Sequence, residues 1–177
     1  MQARGALMME HRLIERVIAL MKSAISEIQA AGKVDLLFID SVVDFIGTYA
    51  DRTHHGKEED ILFRDLDKKD LSVDDRHLMN KLLEDHRFGR ATTRALADAR
   101  SRYCDGESAA VTDISRNLQA LVDLYPQHIE KEDKIFFPNS RNYLSDDEDK
   151  AMLAEFREFD RQMIHEKYKT LIERLER

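Results

Sequence analysis

Two stretches of the chain set imidazoles and carboxylates at helical spacing: HHGKEEDILF at residues 54–63 and HIEKEDKIFFP at residues 128–138. In each, a histidine is followed four residues later by a glutamate, His54 by Glu58 and His128 by Glu132. On an α-helix the members of each pair project from one side. His11 and His86 add one imidazole each, both on apolar stripes. A lone histidine in a core is ordinary, but a buried carboxylate without a partner suffers a heavy desolvation penalty or gives up its charge. Two such carboxylates among four imidazoles point to bound cations. Two divalent metals fit the inventory, each taking two neutral histidine nitrogens, with Glu58 and Glu132 bridging them through one oxygen apiece. Nitrogen and carboxylate donors without thiolate suit iron, with zinc or manganese as alternatives.

These residues need helices to carry them. Leu7, His11, Ile14, Ile18, Met21, Ile25 and Ile28 recur in steps of four and three, which predicts a first helix over about 6–30 that stops at Gly32. A second begins near Asp35 with a stripe of Leu36, Ile39, Val43, Ile46, Ala50, His54, Glu58 and Ile61 or Leu62. Gly47 and Gly56 interrupt it. Gly47 either permits close packing or leaves room for a small ligand, and Gly56 loosens the turn between His54 and Glu58. Ser72 and Asp75 have capping spacing ahead of a third helix, whose face carries Met79, Leu82, His86, Gly89, Thr93 and Ala97. The fourth stripe is Val111, Ile114, Leu118, Leu121, Tyr125, His128, Glu132 and Ile135, with Pro126 predicting a bend one turn before His128. After a second capping signal, Ser145 with Glu148, a last helix presents Leu153, Phe156, Phe159, Met163, Tyr168, Leu171 and Leu175.

Short connections favour antiparallel neighbours, so the expected fold is all-α: an antiparallel up-down four-helix bundle with an additional C-terminal helix. Residues 1–177 are read as one domain, its core bundle at about 6–138 and its C-terminal helix at about 146–176. In such a bundle His11, His54 and His128 reach one level, whereas His86, nearer the middle of its helix, is a rougher match. His55 and Glu59 are rotated by about 100° from their neighbours and are expected outside direct ligation, in supporting or surface roles. His77 and His165 are expected away from the centre. Tyr125 either donates to a ligand or packs in the core.

The rest of the composition sets bounds. With 6 glycines and 2 prolines in 177 residues, long uninterrupted helices are favoured. A formal net charge of -7 argues against binding a nucleic-acid backbone. The single Cys104 excludes an internal disulfide. The N-terminal stretch has charges at Glu10, Arg12, Glu15 and Arg16 and lacks a signal-peptide core, and no run reaches the roughly 18 apolar residues of a membrane span. A cytoplasmic protein without membrane or nucleic-acid partners is expected.

Together EHRLIERV around His11, HHGKEEDILF, EDHRFGR around His86 and HIEKEDKIFFP resemble the hemerythrin family, in particular the bacterial hemerythrin-like HHE cation-binding domains. The resemblance implies a four-helix bundle around a non-haem di-iron centre, bridged by carboxylates and an oxo or hydroxo group. It implies His11 and His54 on one iron, His86 and His128 on the other, and Glu58 and Glu132 as bridges. The chain departs from the oxygen-carrying members in two places. Their third helix has histidines four apart, whereas here Leu82 and Arg90 flank His86 at that spacing; their last bundle helix has an aspartate five residues after its histidine, whereas here Glu132 stands at four and Asp133 at five. Glu132 is preferred because the apolar stripe runs through it. The missing imidazole leaves a coordination place for solvent or another donor.

The expected function is binding or sensing of a small ligand, dioxygen or nitric oxide, rather than catalysis, with a redox or signalling protein as partner. The alternatives are a di-iron redox enzyme or iron-handling protein in nitric oxide or oxidative stress defence, and a metal-stabilised structural or regulatory module. The cysteine-containing leader of the family's repair proteins finds no room in residues 1–6, which disfavours the repair reading.

Overall fold

The computed structural model describes residues 2–175, and every element among them is helical. Helix α1 (Ala3–Ala31) ends at Gly32, whose φ of 64° places it in the left-handed region that glycine adopts freely. Helix α2 (Leu36–Asp44) starts on Asp35, whose side chain accepts from the amides of Leu37 and Phe38. It does not continue as a regular α-helix. Two π-helical segments follow, π1 (Phe45–His55) and π2 (Glu58–Phe63), before a last α-turn, α3 (Arg64–Asp67). The third bundle helix is α4 (Val73–Cys104) and the fourth is α5 (Ala110–Lys131), which runs through Pro126 and widens into π3 (Glu132–Phe136). Two short turns, α6 (Phe137–Ser140) and a 3-10 turn (Arg141–Tyr143), lead to α7 (Asp146–Leu175), the additional C-terminal helix.

The two capping signals resolve differently. Ser145 and Glu148 form a reciprocal box: the Ser145 amide donates to Glu148 Oε2 at 2.8 Å and the Glu148 amide to Ser145 Oγ at 3.3 Å. Ser72 Oγ accepts from the Asp75 amide, but the Asp75 carboxylate does not return the bond; it accepts from Ser72 Oγ, Asn139 and the Tyr143 hydroxyl instead. That carboxylate therefore ties the start of α4 to α6 and to the 3-10 turn after it.

Register explains how the sites meet. His86 stands as far ahead of Cys104, where α4 ends, as His128 stands beyond Ala110, where α5 begins. A short turn between the two helices therefore brings these histidines to one height. His54 lies equally far beyond Leu36 at the start of α2, and His11 nearly so ahead of Ala31 at the end of α1. At about 1.5 Å of rise per residue the four agree within a helical turn. The expected mismatch of His86 disappears because α4 is long on both sides of it.

The core is consequently in two parts. One apolar cluster holds Ile14, Ile18, Met21, Ala50, Leu118, Leu121 and Tyr125. The other holds Leu7, Leu62, Phe63, Leu82, Phe136, Phe137 and, from α7, Met152 and Phe156. Along each bundle helix the change from one cluster to the other falls at the histidines. Leu153, Phe159 and Met163 of α7 are half-buried as its stripe predicts, while the side chains of Tyr168, Leu171 and Leu175 lie outside the described residues. No helix among the described residues is long and apolar enough to cross a membrane.

Candidate metal centre

Between the two clusters, His11, His54, His55, His86 and His128 are all buried, and Glu58 and Glu132 are fully so. Two groups emerge, each with ligand atoms within 4.8 Å of one another: His11, His54, Glu58 and Glu132, and His55, Glu58, His86 and His128. Glu58 belongs to both. Its Oε1 lies 3.4 Å from His54 Nε2 and its Oε2 lies 3.5 Å from His86 Nε2, one oxygen toward each group. Glu132 Oε2 lies 3.2 Å from both His11 Nε2 and His128 Nε2, and its Oε1 faces His86 at 3.9 Å. The Nε2 atoms of His11 and His54 stand 2.9 Å apart, and those of His86 and His128 stand 3.2 Å apart.

His55 does not take the outer position expected of it. It is buried, with its ring stacked 3.8 Å from that of His86 and edge-on to His128 at 5.6 Å. The physical reason is the π-helical backbone. A π-turn closes its hydrogen bonds from i to i+5, so each residue rotates by less than the about 100° of an α-turn, and two adjacent side chains fit one inward arc. The Thr53 hydroxyl donating to the Thr48 carbonyl five residues back, at 2.8 Å, fits this wide turn. His55 thus enters from the second bundle helix where Leu82 and Arg90 leave the third without another imidazole. The histidine doublet itself was the sequence signal for it.

The opposite edges of the imidazoles carry a second layer. His11 Nδ1 is 2.7 Å from Asp133, His54 Nδ1 is 2.8 Å from Glu10 and His86 Nδ1 is 2.7 Å from Glu59. His128 faces Asp85 at 3.5 Å and His55 faces Asp51 at 3.4 Å, ion-pair distances rather than hydrogen bonds. Behind each carboxylate stands a cation: Arg12 behind Asp133, Lys57 behind Glu10, Lys131 behind Asp85, and Arg90 behind both Asp51 and Glu59. Asp133 therefore supports His11 from outside, and Glu132 faces inward. Glu59, predicted in a supporting role, takes one. Carboxylates at Nδ1 hold that nitrogen as the N–H donor and leave the Nε2 lone pair directed inward, the arrangement found around metal-bound histidines.

This layering tests whether a cation fits. With Nδ1 as the donor, the centre collects inward lone pairs from His11, His54 and His86 and four carboxylate oxygens, and only protons on the histidines themselves, such as one on His11 Nε2 at 3.2 Å from Glu132, could serve the carboxylates as donors. Both oxygens of Glu58, both of Glu132 and both ring nitrogens of His55 are buried without a hydrogen-bond partner. An ordinary buried polar network alternates donors with acceptors; here acceptors face acceptors. Metal ions satisfy such a set.

Burial, then the neighbouring histidines, pushes the His54 imidazole well below its usual range, and burial with His55 and His128 does the same to His86. His55 is lowered mainly by burial. His11 goes the other way: burial opposes its charge, but the carboxylates of Asp133 at Nδ1 and Glu132 at Nε2 outweigh this and raise it to about 9. Burial, then the charge of Glu132, drives Glu58 well above the carboxylate range, while Glu132, though desolvated, is held below it by His128 and His11.

Of the remaining candidates, His77 and His165 are away from the centre, both of them exposed. Tyr125 is buried with its ring stacked over His55 at 6.3 Å, and no hydrogen bond from it to a carboxylate occurs among the described residues. Beside it lies a cavity of about 170 Å³ lined by Ile46, Gly47, Asp51, His55, Gly89, Arg90, Thr93, Arg94 and Tyr125. Gly47 opens onto it, and a Cβ there would meet nothing within 4 Å. Gly56 has a different reason: its missing side chain admits the ring of Phe159.

A helical bundle with a buried histidine and glutamate layer able to chelate metal defines a class of cation-binding bundle proteins. Within that class the chain belongs to the hemerythrin HHE cation binding domain family, whose model matches residues 3–140. Members of this family are generally non-catalytic proteins that bind or sense dioxygen. The chain is also similar to uncharacterized proteins of Mycobacterium bovis and Mycobacterium tuberculosis, at 22% identity over 150 residues and 85% of this chain. It spans 58% of the length of those relatives. No solved structure matches the chain significantly.

Proposed function

We propose that the chain is a non-haem di-iron protein that binds or senses a small ligand such as dioxygen or nitric oxide. The observation that carries this reading is Glu58, a buried carboxylate with one oxygen toward His54 and the other toward His86. Residues positioned this way support two ions, one held by His11 and His54 and the other by His55, His86 and His128, with Glu58 and Glu132 between them. When bound, an iron pair would supply a redox-active centre with affinity for small diatomic ligands. The unequal histidine count favours an exchangeable position on the His11 and His54 side.

The protein's own residues would do the rest. Asp133, Glu10, Glu59, Asp85 and Asp51 orient the imidazoles. The apolar clusters above and below exclude bulk water, which strengthens electrostatic interactions inside the layer. The cavity over His55 and Tyr125, beside the three-histidine group, is a route by which a diatomic molecule but not a large organic substrate would reach the layer. Metal analysis of protein purified without added metal, with optical spectra before and after exposure to dioxygen or nitric oxide, tests the reading. Two irons per chain and ligand-dependent absorption are expected. A well-folded protein that takes up no iron when it is supplied would refute the reading, and iron without a ligand response would reduce the role to a structural one.

A further inference from the structure

Three of the four outer cations are partly exposed, Arg12, Arg90 and Lys131, as solvated ends of a charge chain usually are. Lys57 is different, with a side chain only 1% exposed. A buried ammonium needs close compensation, and Lys57 has two carboxylates. One is Glu10, whose Oε1 pairs with Nζ while its Oε2 lies 2.8 Å from His54 Nδ1. The other is Asp160 of α7, at 2.7 Å. The neighbouring residue makes a contact of another kind. A Cβ placed on Gly56 would stand 2.7 Å from Cζ of Phe159, so α7 rests directly on the backbone there. The C-terminal helix therefore grips the second bundle helix at two consecutive positions, Gly56 and Lys57, between His55 and Glu58.

We propose that Lys57 and Asp160 are positioning residues through which α7 is coupled to the metal centre. Glu10 divides its two oxygens between His54 and Lys57. The ammonium keeps this carboxylate inside and aimed at Nδ1, and Asp160 keeps the ammonium in place. Seating of α7 and occupancy of the His11 and His54 site then strengthen one another, since equilibrium coupling works equally in both directions. The inference rests on the two-ion reading above and adds a route by which the state of the centre reaches an outer helix.

Zinc binding by competition with a chelating dye tests this on the full chain, with Lys57→Met and with Asp160→Asn. The latter replaces a side chain that is 40% exposed, and it keeps the test valid should Lys57→Met fail to fold. For Lys57→Met the affinity of one of the two ions should fall about tenfold or more, the effect typical of removing an outer support of a metal-bound histidine. Asp160→Asn should weaken the same ion, and less. A general loosening of the bundle would weaken both ions together and would overturn the proposal. In the wild type, zinc should slow tryptic cleavage at Arg157 and Arg161, and Asp160→Asn should lose that protection. Two zinc ions bound by the wild type, with unchanged affinities in both variants and no effect of zinc on cleavage, would overturn the coupling alone. A wild type that takes up no zinc would overturn the two-ion reading and this inference with it.

Discussion

Replacing Glu58 by glutamine should change the sign of its effect on stability with the metal state. In the metal-free protein Glu58 is fully buried, its oxygens lack hydrogen-bond donors, and burial with the charge of Glu132 drives its carboxyl well above its usual range. Keeping a proton on such a group at pH 7.5 costs about 1.4 kcal/mol for each unit by which the pH exceeds its ordinary value near 4.5, up to roughly 4 kcal/mol in all. Glutamine escapes that cost. It brings a buried amide whose hydrogen bonds are incomplete, at about 1–3 kcal/mol. The metal-free Glu58→Gln protein should therefore be more stable than the metal-free wild type by roughly 1–3 kcal/mol. For a chain of this size that is a rise in Tm of about 2–10 °C. With metal the order inverts, because the wild type gains the free energy of two bound ions and the variant lacks the carboxylate that serves both. Thermal unfolding followed by circular dichroism, in chelator and in added iron or zinc, measures both halves. A metal-free variant less stable than the metal-free wild type would refute the reasoning, for it would show Glu58 working as an ordinary partner in a structural network.

His55→Ala should weaken one of the two ions by roughly 10–100-fold or more while sparing the other, and His77→Ala and His165→Ala should change neither; metal titration of the three variants checks this. In the metal-free protein the lowered His54, His55 and His86 stay neutral while their unfolded forms take up protons. Stability should therefore fall as pH drops below about 6.5, with Glu58 opposing in part, at a net slope of roughly 1–3 kcal/mol per pH unit. Denaturant unfolding between pH 5 and 7 reads that slope. His11, raised to about 9, contributes stability that is full below about 6.5 and lost as pH rises through about 9. Its proton must leave when metal binds, so loading at pH 7.5 should release protons and release fewer near pH 10, as calorimetry in buffers of different ionisation enthalpy would show. A Cβ at Gly47 meets nothing within 4 Å, so Gly47→Ala narrows the cavity over His55 without a clash, and stopped-flow association of nitric oxide should slow at unchanged metal content.

The helices were legible because their stripes are regular. The steps of four and three from Leu7 to Ile28 place every buried residue of α1 beyond Arg4, including His11. The four-helix arrangement follows from those stripes and the short turns between them. Two things were hidden. His55 was read with an α-helical rotation, and the stretch from Phe45 to Phe63 departs from that rotation in π1 and π2, where one residue's extra turn decides which side faces in. The outer carboxylates were hidden for another reason. In a chain that is 36% charged, Glu10, Asp51, Asp85 and Asp133 look like any solvated face, and most of their partners lie on other helices. Only the tertiary register shows that Glu10 serves His54 rather than the adjacent His11, and that Asp133, far along the chain, serves His11.

That exchange between helices bears on how the fold and the centre depend on each other. Asp133 from π3 reaches His11 of α1, Glu10 of α1 reaches His54 of π1, and Glu59 of π2 reaches His86 of α4. Each of these imidazoles is thus oriented by a helix other than its own, so none of those helices carries a finished ligand. The layer between the two apolar clusters contributes little burial of hydrocarbon, and without cations its converging acceptors are held together only by protons kept on Glu58 and His11. Folding of the metal-free chain must therefore be driven by the clusters on either side, and metal binding should stiffen the middle of all four helices together rather than one ligand at a time. Amide exchange makes the distinction: protection gained on loading should appear at once around His11, His54, His86 and His128 and leave the cluster near Ile25 and Leu118 unchanged. Protection that rises in one helix alone would show that the helices supply the centre independently, contrary to the crossed pairing of histidines and carboxylates.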